Sequence, residues 1–225
     1  MATALLIGAS RGIGLELARQ YREEGWRVIA TARDEDGLAR LQALGCETLR
    51  LDVADPARNS GLSWQLDGEK LDLAVYVAGV ADRADTQSPP TQARFDAVMH
   101  ANVMGALMVV PQIVPMLRDG KGVLAVISSR MGSVSLVDAG NAALYRISKA
   151  ALNMALRCLA LDHPDLPCVA LHPGWVQTDM GGARAPLTPE QSARDLRQTL
   201  AELARSRTPT PGGAFLNHDG SPLPW

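Results

Sequence analysis

Short, mostly apolar runs of residues alternate along this chain with longer segments in which apolar residues recur at helical spacing. A short apolar run followed by a helical segment is typical of a strand buried on both faces of a parallel sheet. Seven such runs lie at residues 4–7, 28–32, 46–51, 71–77, 123–127, 167–172 and 213–216. Because helices intervene, the crossovers should be right-handed, and the pattern predicts an α/β fold: a doubly wound, seven-stranded parallel sheet with helices on both faces.

The same spacing places several helices. They are a short crossover helix at residues 55–66, a long helix from 91 or 92 to 117, a helix that opens at 145 and continues through 150–161, and a last helix from 188 to about 205. Pro111 and Pro115 could interrupt the long helix, since proline lacks a backbone N–H. Thr188 and Pro189 suit the N-cap and first position of the last helix. Residues 179–190, rich in Gly, Ala and Pro, suit a loop that closes over a substrate.

A glycine-rich turn, Gly8-Ala9-Ser10-Arg11-Gly12-Ile13-Gly14, joins the first strand to a helix. Glycines let a backbone approach the pyrophosphate of a dinucleotide, and the amino terminus of a helix offers unpaired N–H groups and a positive dipole. The context therefore indicates a dinucleotide site; the alternative is a glycine-rich turn that binds nothing. Asp52 and Gly79 follow later strands, and parallel strands place their carboxyl ends at one edge, so both should cluster with Gly8.

Two arginines favour NADP(H) over NAD(H) as the dinucleotide. An acidic residue at the end of the second strand would bind the ribose 2′-hydroxyl of NAD, whereas an arginine accommodates the 2′-phosphate of NADP. Here that strand runs into Arg33, and Arg11 lies in the glycine turn. Guanidinium groups match the geometry of phosphate bidentately. Asp34, directly after Arg33, weakens this argument, and the alternative is that Arg33 is a solvated loop charge.

Tyr145 and Lys149 are candidate acid–base residues, because residues four apart lie on one face of a helix. Free tyrosine titrates near pH ~10, and a nearby lysine charge favours the phenolate and lowers that pKa. Taken alone, such a pair is more often plain helix surface. Asn102 in the long helix, and Ser128 and Ser129 after the fifth strand, are singly more often local hydrogen-bonding residues.

Composition and cysteine count limit the number of domains, the cellular compartment and the kinds of partner that we expect. The chain has 225 residues, 47% of them hydrophobic, and a net charge of −2, which fits one globular domain and offers no basic stretch for nucleic acid. The three cysteines lack metal-ligand spacing, so we expect reduced thiols, no metal and a cytoplasmic protein. Residues 1–7 run directly into the first strand and leave no room for a signal peptide. No apolar run approaches the roughly 20 residues needed to span a bilayer, so no membrane partner is expected.

In this order and context, the motifs resemble the short-chain dehydrogenase/reductases over nearly the whole chain. The resemblance rests on the glycine turn and on Asp52-Val53, Ala78-Gly79, Asn102, Ser128-Ser129, Tyr145-x-x-x-Lys149 and Pro173-Gly174-Trp175-Val176-Gln177-Thr178. Residues 171–182 and 217–225 are similar to the C-factor and sniffer-like carbonyl reductase branch of that family. The resemblance implies a Rossmann fold, with residues 1–225 as a single NAD(P)-binding domain.

The resemblance also implies roles for individual residues. Tyr145 would be the general acid or base, and Lys149 would bind the nicotinamide ribose and lower the pKa of Tyr145. Ser129 would bind the substrate carbonyl, and Asn102 would hold a water that links Lys149 to solvent. NADP(H) contacts are implied for Gly8, Ser10, Arg11, Gly12, Ile13, Gly14, Arg33, Asp52, Val53, Ala78, Gly79, Tyr145, Lys149, Pro173, Gly174, Val176 and Thr178. Substrate contacts are implied for Ser129, Met131, Tyr145, Trp175 and Met180.

Three positions depart from the family's pattern. Val77 stands where an Asn usually precedes Ala-Gly, and Ile7 stands where a Thr usually precedes the first glycine. Ser129 lies sixteen residues before Tyr145, a longer interval than is common, so Ser128 is the alternative to Ser129 as the serine that binds the substrate carbonyl.

The predicted function is an NADPH-dependent carbonyl reductase that reduces a small ketone or aldehyde. The alternatives are an NAD(P)-dependent alcohol dehydrogenase and a dinucleotide-binding signalling or regulatory protein on the same fold. By analogy with related enzymes, in which the helices that carry Asn102 and Tyr145 pair between subunits, a homodimer or tetramer is expected.

Overall fold

The computed structural model describes residues 1–206 and 211–225, and its strands form one parallel sheet. The sheet has seven strands in the order β3-β2-β1-β4-β5-β6-β7, and every neighbouring pair is parallel. The strands are β1 (Thr3–Ile7), β2 (Arg27–Ala32), β3 (Glu47–Arg50), β4 (Leu73–Tyr76), β5 (Val123–Ile127), β6 (Cys168–His172) and β7 (Ala214–Asn217). The predicted seven-stranded, doubly wound α/β sheet is confirmed.

Helices connect the strands and cover both faces of the sheet. They are α1 (Gly12–Glu23), α2 (Glu35–Ala43), α3 (Pro56–Asn59), α4 (Leu62–Gln65), α5 (Gln92–Met99), α6 (Gly105–Gly120), α7 (Ala143–Asp162) and α8 (Pro189–Ser206). A π-helical segment (His100–Met104) joins α5 to α6, and a single 3₁₀ turn (Arg130–Gly132) follows β5.

Two hydrophobic cores lie on opposite faces of the sheet, and β1 supplies both. Leu5 and Ile7 point into the core that α6 and α7 cover, whereas Ala4 and Leu6 point into the core that α1, α2 and α8 cover. Successive side chains of a strand face opposite sides, so a strand buried on both faces must be apolar at every position. This requirement is the reason that central strands such as β4 and β5 could be predicted from apolar runs, whereas the edge strand β3 is partly exposed and mixed in composition.

Two crossovers differ from the prediction. Helix α2 was not predicted; Asp34 begins it as N-cap, with its side chain accepting a hydrogen bond from the Gly37 N–H at 2.8 Å. The crossover at residues 55–66 is not one helix but the two four-residue pieces α3 and α4. Asp55 caps the first piece through the Ala57 N–H, and Gly61 separates the two.

The expected interruption of the long helix at Pro111 or Pro115 is wrong. Helix α6 runs through both prolines, which lie on its exposed side, where water can bind the carbonyls left without a partner.

Among the described residues, Gln92–Gly120 is one helical stretch of 29 residues that is long and apolar enough by composition to cross a membrane, contrary to the expectation from the sequence. Half of the residues in the most apolar part of this stretch are buried inside the protein, because α6 packs on the sheet as a core helix does.

Candidate active site

The glycine turn packs so closely on the sheet that two of its residues must lack a side chain. A Cβ at Gly8 would lie 2.6 Å from the Cβ of Ala78, and its φ of +82° is also one that side chains disfavour. A Cβ at Gly14 would lie 2.8 Å from the Cα of Ala9. Helix α1 begins at Gly12 without a side-chain cap and without an acidic residue in its first turn. These features fit an anion such as a dinucleotide pyrophosphate at the helix amino terminus.

The other predicted contacts to the adenosine half lie at the same edge of the sheet. Asp52 follows β3 and its side chain accepts a hydrogen bond from the Ala54 N–H at 3.0 Å. The carbonyl of Val53 accepts a hydrogen bond from Asn59 at 2.8 Å. Ala78 follows β4, and its N–H donates to the carbonyl of Ile7 beside the glycine turn. The structure thus brings Gly8, Asp52 and Gly79 to one edge, as the parallel strands require.

Arg11 and Arg33 both lie at the surface around the glycine turn. Arg33 is 66% exposed, and its Nε lies 3.6 Å from a carboxylate oxygen of Asp34. The other carboxylate oxygen of Asp34 accepts the hydrogen bond that caps α2, so this residue stabilises the start of the helix next to Arg33. Arg11 donates to Asp179 at 2.7 Å. Exposed pairs of this kind contribute little energy, so both guanidinium groups are free to donate hydrogen bonds to a phosphate instead.

A third arginine, Arg40, was missed by the sequence analysis. Its Nε donates to the carbonyl of Ser10 at 3.0 Å, which holds the guanidinium against the glycine turn. Gly37, one turn earlier in α2, lies so near that a Cβ there would meet the Cβ of Ser10 at 2.7 Å. The signal that could have found Arg40 is the Asp34 cap, because it predicts the helix that carries the arginine.

Lys149 is buried behind the ring of Tyr145. Only 3% of Lys149 is exposed, its Nζ donates to the carbonyl of Ile127 at 2.8 Å, and it lies 5.8 Å from the centroid of the tyrosine ring. Burial lowers the pKa of Lys149 to about 8. A Cβ at Gly79 would lie 3.4 Å from this Nζ, so the glycine leaves room for the ammonium group.

Tyr145 differs from the expectation of a lowered pKa. Desolvation raises the pKa of its phenol, and a hydrogen bond with the Ser129 hydroxyl acts in the opposite direction. The ammonium group of Lys149 does not offset the desolvation, since it is bonded to the carbonyl of Ile127 instead of the phenolic oxygen. In this structure Tyr145 is therefore held as the neutral phenol.

The two serines after β5 occupy different environments. Ser128 is buried and donates to the side chain of Asn153 at 2.5 Å, which makes it part of the packing between β5 and α7. The hydroxyl of Ser129 interacts with Tyr145 and accepts a hydrogen bond from the Met131 N–H at 3.1 Å. The geometry favours Ser129 as the partner of Tyr145.

Asn102 is fully buried in the π-helical segment. Its amide donates to the carbonyl of Val80 and to the hydroxyl of Ser148, both at 2.9 Å, and it accepts from the Val80 N–H at 2.8 Å. The side chain therefore ties the turn after β4 to α7, close to Lys149. Its role in holding a water stays a prediction. A π turn inside a helix often marks a functional site.

The turn after β6 is shaped by packing. A Cβ at Gly174, whose φ is +81°, would lie 2.4 Å from a methyl group of Leu187. The carbonyl of Pro173 accepts a hydrogen bond from Ser192, and Val176 pairs with Leu187 in an isolated bridge.

The segment that continues from this turn rests on the glycine turn. Thr178 lies against Gly12, where a Cβ would be 3.1 Å from its methyl group, and its hydroxyl accepts from the Gly181 N–H. Thr178 is therefore next to the predicted pyrophosphate site.

The predicted substrate loop at residues 179–190 is tied to its surroundings. The Trp175 indole donates to the carbonyl of Gly181 at 2.8 Å, and Arg83, which the sequence analysis did not single out, donates to the carbonyl of Met180. Trp175 is 55% and Met180 38% exposed, while Met131 is partly buried in the 3₁₀ turn. Their contact with substrate stays a prediction. Within residues 1–206 and 211–225, no group of three or more His, Cys, Asp or Glu side chains could hold a metal ion.

Comparison with known proteins identifies the family. Residues 2–187 match the family described as short chain dehydrogenase. The chain belongs to the short-chain dehydrogenase family. Among relatives, the "C-signal" of Myxococcus xanthus is 42% identical over 158 residues, which cover 69% of this chain and 93% of that protein.

Two solved structures share the fold of this short-chain dehydrogenase. One is a short-chain dehydrogenase/reductase from Burkholderia multivorans with bound NADP, with a TM-score of 0.90 and 31% identity over 100% of this chain and 99% of that one. The other is the carbonyl reductase Sniffer of D. melanogaster, with a TM-score of 0.89 and 28% identity over 100% of both chains. The protein is an oxidoreductase whose site is built for a nicotinamide dinucleotide and a small-molecule substrate.

Proposed function

We propose that this short-chain dehydrogenase is an NADPH-dependent carbonyl reductase that acts on a small ketone or aldehyde. The observation that carries the proposal is the pairing of the Ser129 and Tyr145 hydroxyls in front of the buried Lys149, at the sheet edge that holds the glycine turn. Two hydroxyls that lie beside each other can both face one substrate oxygen. This arrangement suits a carbonyl group that becomes an alkoxide.

Three side chains of the protein stabilise or neutralise the negative charge that develops on the substrate oxygen. The bound dinucleotide supplies the hydride. Ser129 donates a hydrogen bond to the carbonyl oxygen and holds it beside Tyr145. Because its pKa is raised, Tyr145 is neutral at physiological pH and can give its proton to the oxygen. The ammonium group of Lys149, 5.8 Å from the ring centroid, then stabilises the phenolate that remains.

The preference for NADP(H) is supported by the arginines around the glycine turn. Arg33 at the end of β2 is expected to pair with the 2′-phosphate, so Arg33→Met should weaken NADPH binding by about 10- to 100-fold, the ~1.5–3 kcal/mol of a hydrogen bond to a charged group. NADH affinity should change less than about twofold, since NADH lacks that phosphate. Fluorescence titration with each cofactor measures both constants.

Arg118→Met is the matched control for this substitution. Arg118 is also an exposed arginine with one acidic partner, Asp165, but it lies at the opposite edge of the sheet. It should leave both affinities unchanged. An equal loss of NADPH and NADH affinity in Arg33→Met would contradict a contact with the 2′-phosphate.

The test of the proposed function is titration of the purified protein with NADPH and NADH, followed by the nicotinamide absorbance with a panel of ketones, aldehydes and quinones. Tight NADPH binding and oxidation by a member of the panel is the expected result. Failure of both cofactors to bind would refute the proposal. Turnover of alcohols with NADP⁺ but of no carbonyl compound would favour the alcohol dehydrogenase.

The similarity to "C-signal" favours a second candidate, a dinucleotide-binding protein with a signalling role. The name of that relative supports this candidate, whereas the joint presence of Ser129, Tyr145 and Lys149 supports an enzyme. Tight NADPH binding without turnover of any carbonyl or alcohol would favour the signalling candidate.

The proposal includes a cytoplasmic location and a homodimer or tetramer formed through α5, α6 and α7. The oligomer is supported by an apolar groove of about 300 Å³ between α6 and α7, with exposed Leu107 (54%) at its side. Leu107→Glu should give a monomer by sedimentation velocity, because a charge in an apolar interface loses its hydration. Trp64→Glu, at an apolar residue on α4 that is even more exposed (84%), should keep the oligomer. A wild-type monomer would contradict this part of the proposal.

A further inference from the structure

The segment at residues 128–135, here called the Ser129 segment, is held on its inner side by α7. Gly132 packs against Lys149 so closely that a Cβ would lie 2.7 Å from the lysine's backbone carbon. Asn153 accepts a hydrogen bond from the Ser128 hydroxyl at 2.5 Å and donates to the carbonyl of Gly132 at 3.4 Å. These contacts fix Ser128 and Gly132 on α7, but they do not hold the outer side of the segment.

The outer side of the Ser129 segment is bound by the last residues of the chain. The hydroxyl of Ser133, which is only 1% exposed, donates to the carbonyl of Pro224 at 2.7 Å. The hydroxyl of Ser135 donates to the carbonyl of Trp225 at 3.0 Å. The partners are about ninety residues apart in sequence, so these bonds are tertiary contacts and not turn geometry.

Trp225 is itself anchored on the sheet and on α7. Its indole stacks on Phe215 of β7, with ring centroids 5.5 Å apart, and the guanidinium of Arg157 lies 5.3 Å from its centroid. The Leu223 N–H donates to the carbonyl of Phe215, so the chain returns along β7 before it reaches the Ser129 segment. A stacked aromatic ring with a cation on its face is a firm attachment point.

We propose that Trp225 is a positioning residue for Ser129, acting through Ser133 and Ser135. It holds the segment whose hydroxyl must meet the substrate carbonyl beside Tyr145. The longer interval between Ser129 and Tyr145 adds residues to this part of the chain, and the anchor at Ser133 and Ser135 restricts their motion. The inference rests on the proposed carbonyl reductase activity.

Trp225→Ala should lower kcat by about 10- to 100-fold, since a misplacement of ~1 Å at a reacting group has effects of this size. NADPH affinity should stay within about twofold of the wild type, because the glycine turn is not involved. Trp225→Phe should retain most of the activity by keeping the stack on Phe215. Trp64→Ala is the matched control, an exposed tryptophan outside this network, and should have no effect.

A double-mutant cycle with Ser129→Ala separates positioning from general stability. If Trp225 acts through Ser129, Trp225→Ala should lower kcat by less than about twofold in a protein that already lacks the Ser129 hydroxyl. Effects that multiply in full would overturn the inference. The combined Ser133→Ala, Ser135→Ala variant repeats the cycle with the indole intact, should Trp225→Ala fail to fold.

Amide hydrogen exchange tests the same inference without activity. In Trp225→Ala, exchange should accelerate at residues 129–135, which include the Met131 and Gly132 N–H groups bonded to Ser129, and not in α7. Unchanged exchange in the Ser129 segment would overturn the inference. A wild type inactive on every carbonyl would refute the proposed function instead, and the exchange result would still decide whether Trp225 holds the segment.

Discussion

Replacement of Tyr145 by phenylalanine is expected to lower kcat by about 10²- to 10⁴-fold, the range that a general acid contributes. In the proposed mechanism the phenol beside Ser129 gives its proton to the developing alkoxide, and phenylalanine keeps the ring but removes that proton. NADPH affinity should remain within about twofold, since the glycine turn and the arginines are unchanged. Stopped-flow reduction of a carbonyl substrate measures the hydride step, and fluorescence titration measures binding.

Tyr21→Phe is the control for this prediction. Tyr21 also has a raised pKa because of its burial, but it packs at an angle on Trp26 between α1 and β2, far from the sheet edge that carries the site. It should leave kcat unchanged. Turnover by Tyr145→Phe at the wild-type rate would exclude Tyr145 as the acid.

The second large effect concerns Lys149 and the pH dependence of stability. Its folded pKa of about 8 lies below its ordinary value of 10.5, so between these pH values the unfolded chain binds more protons than the folded one. The free energy of unfolding should therefore rise with pH in this window through Lys149. The gain is about 3 kcal/mol at ~1.36 kcal/mol per pKa unit.

The measurement is urea unfolding of the wild type and of Lys149→Met from pH 7 to 10.5, without cofactor. The difference between their free energies of unfolding should grow with pH, because the variant lacks this titration. Lys70→Met removes an exposed lysine and should run parallel to the wild type. Parallel curves for Lys149→Met would mean that the ammonium group is hydrated in the folded protein.

The sheet was predictable from sequence because burial on both faces favours apolar residues, as at positions 4–7 of the first strand. Helix α2 lacks so clear a pattern; its start is marked only by Asp34, which was interpreted as a weakening charge beside Arg33. The short pieces α3 and α4 are set by tertiary contacts, such as the bonds of Gln112 to Asn59 and Ser63. Spacing alone could not find these contacts.

Within the candidate site, the sequence placed residues on elements but not the direction of their polar groups. The four-residue spacing correctly put Tyr145 and Lys149 on one helix face. It could not foresee that the ammonium group would bond to the carbonyl of Ile127, which lies 22 positions earlier on another element. The choice between Ser128 and Ser129 likewise depended on Asn153, which no motif includes. The orientation of each polar side chain depends on hydrogen-bond partners that are distant in sequence and come close only in the folded chain.

The π-helical segment at His100–Met104 changes the rotational phase of the long helix. Each helical residue turns by about 100°, so the wider turn shifts the faces before and after it relative to one another. Asn102 can therefore point at Val80 and Ser148 while Val109 and Ile113 in α6 still face the sheet. Deleting one residue from the segment would restore a regular helix and force one of these two faces out of register. The wide turn thus lets one continuous helix pack its apolar side chains in the core and direct Asn102 towards the candidate site.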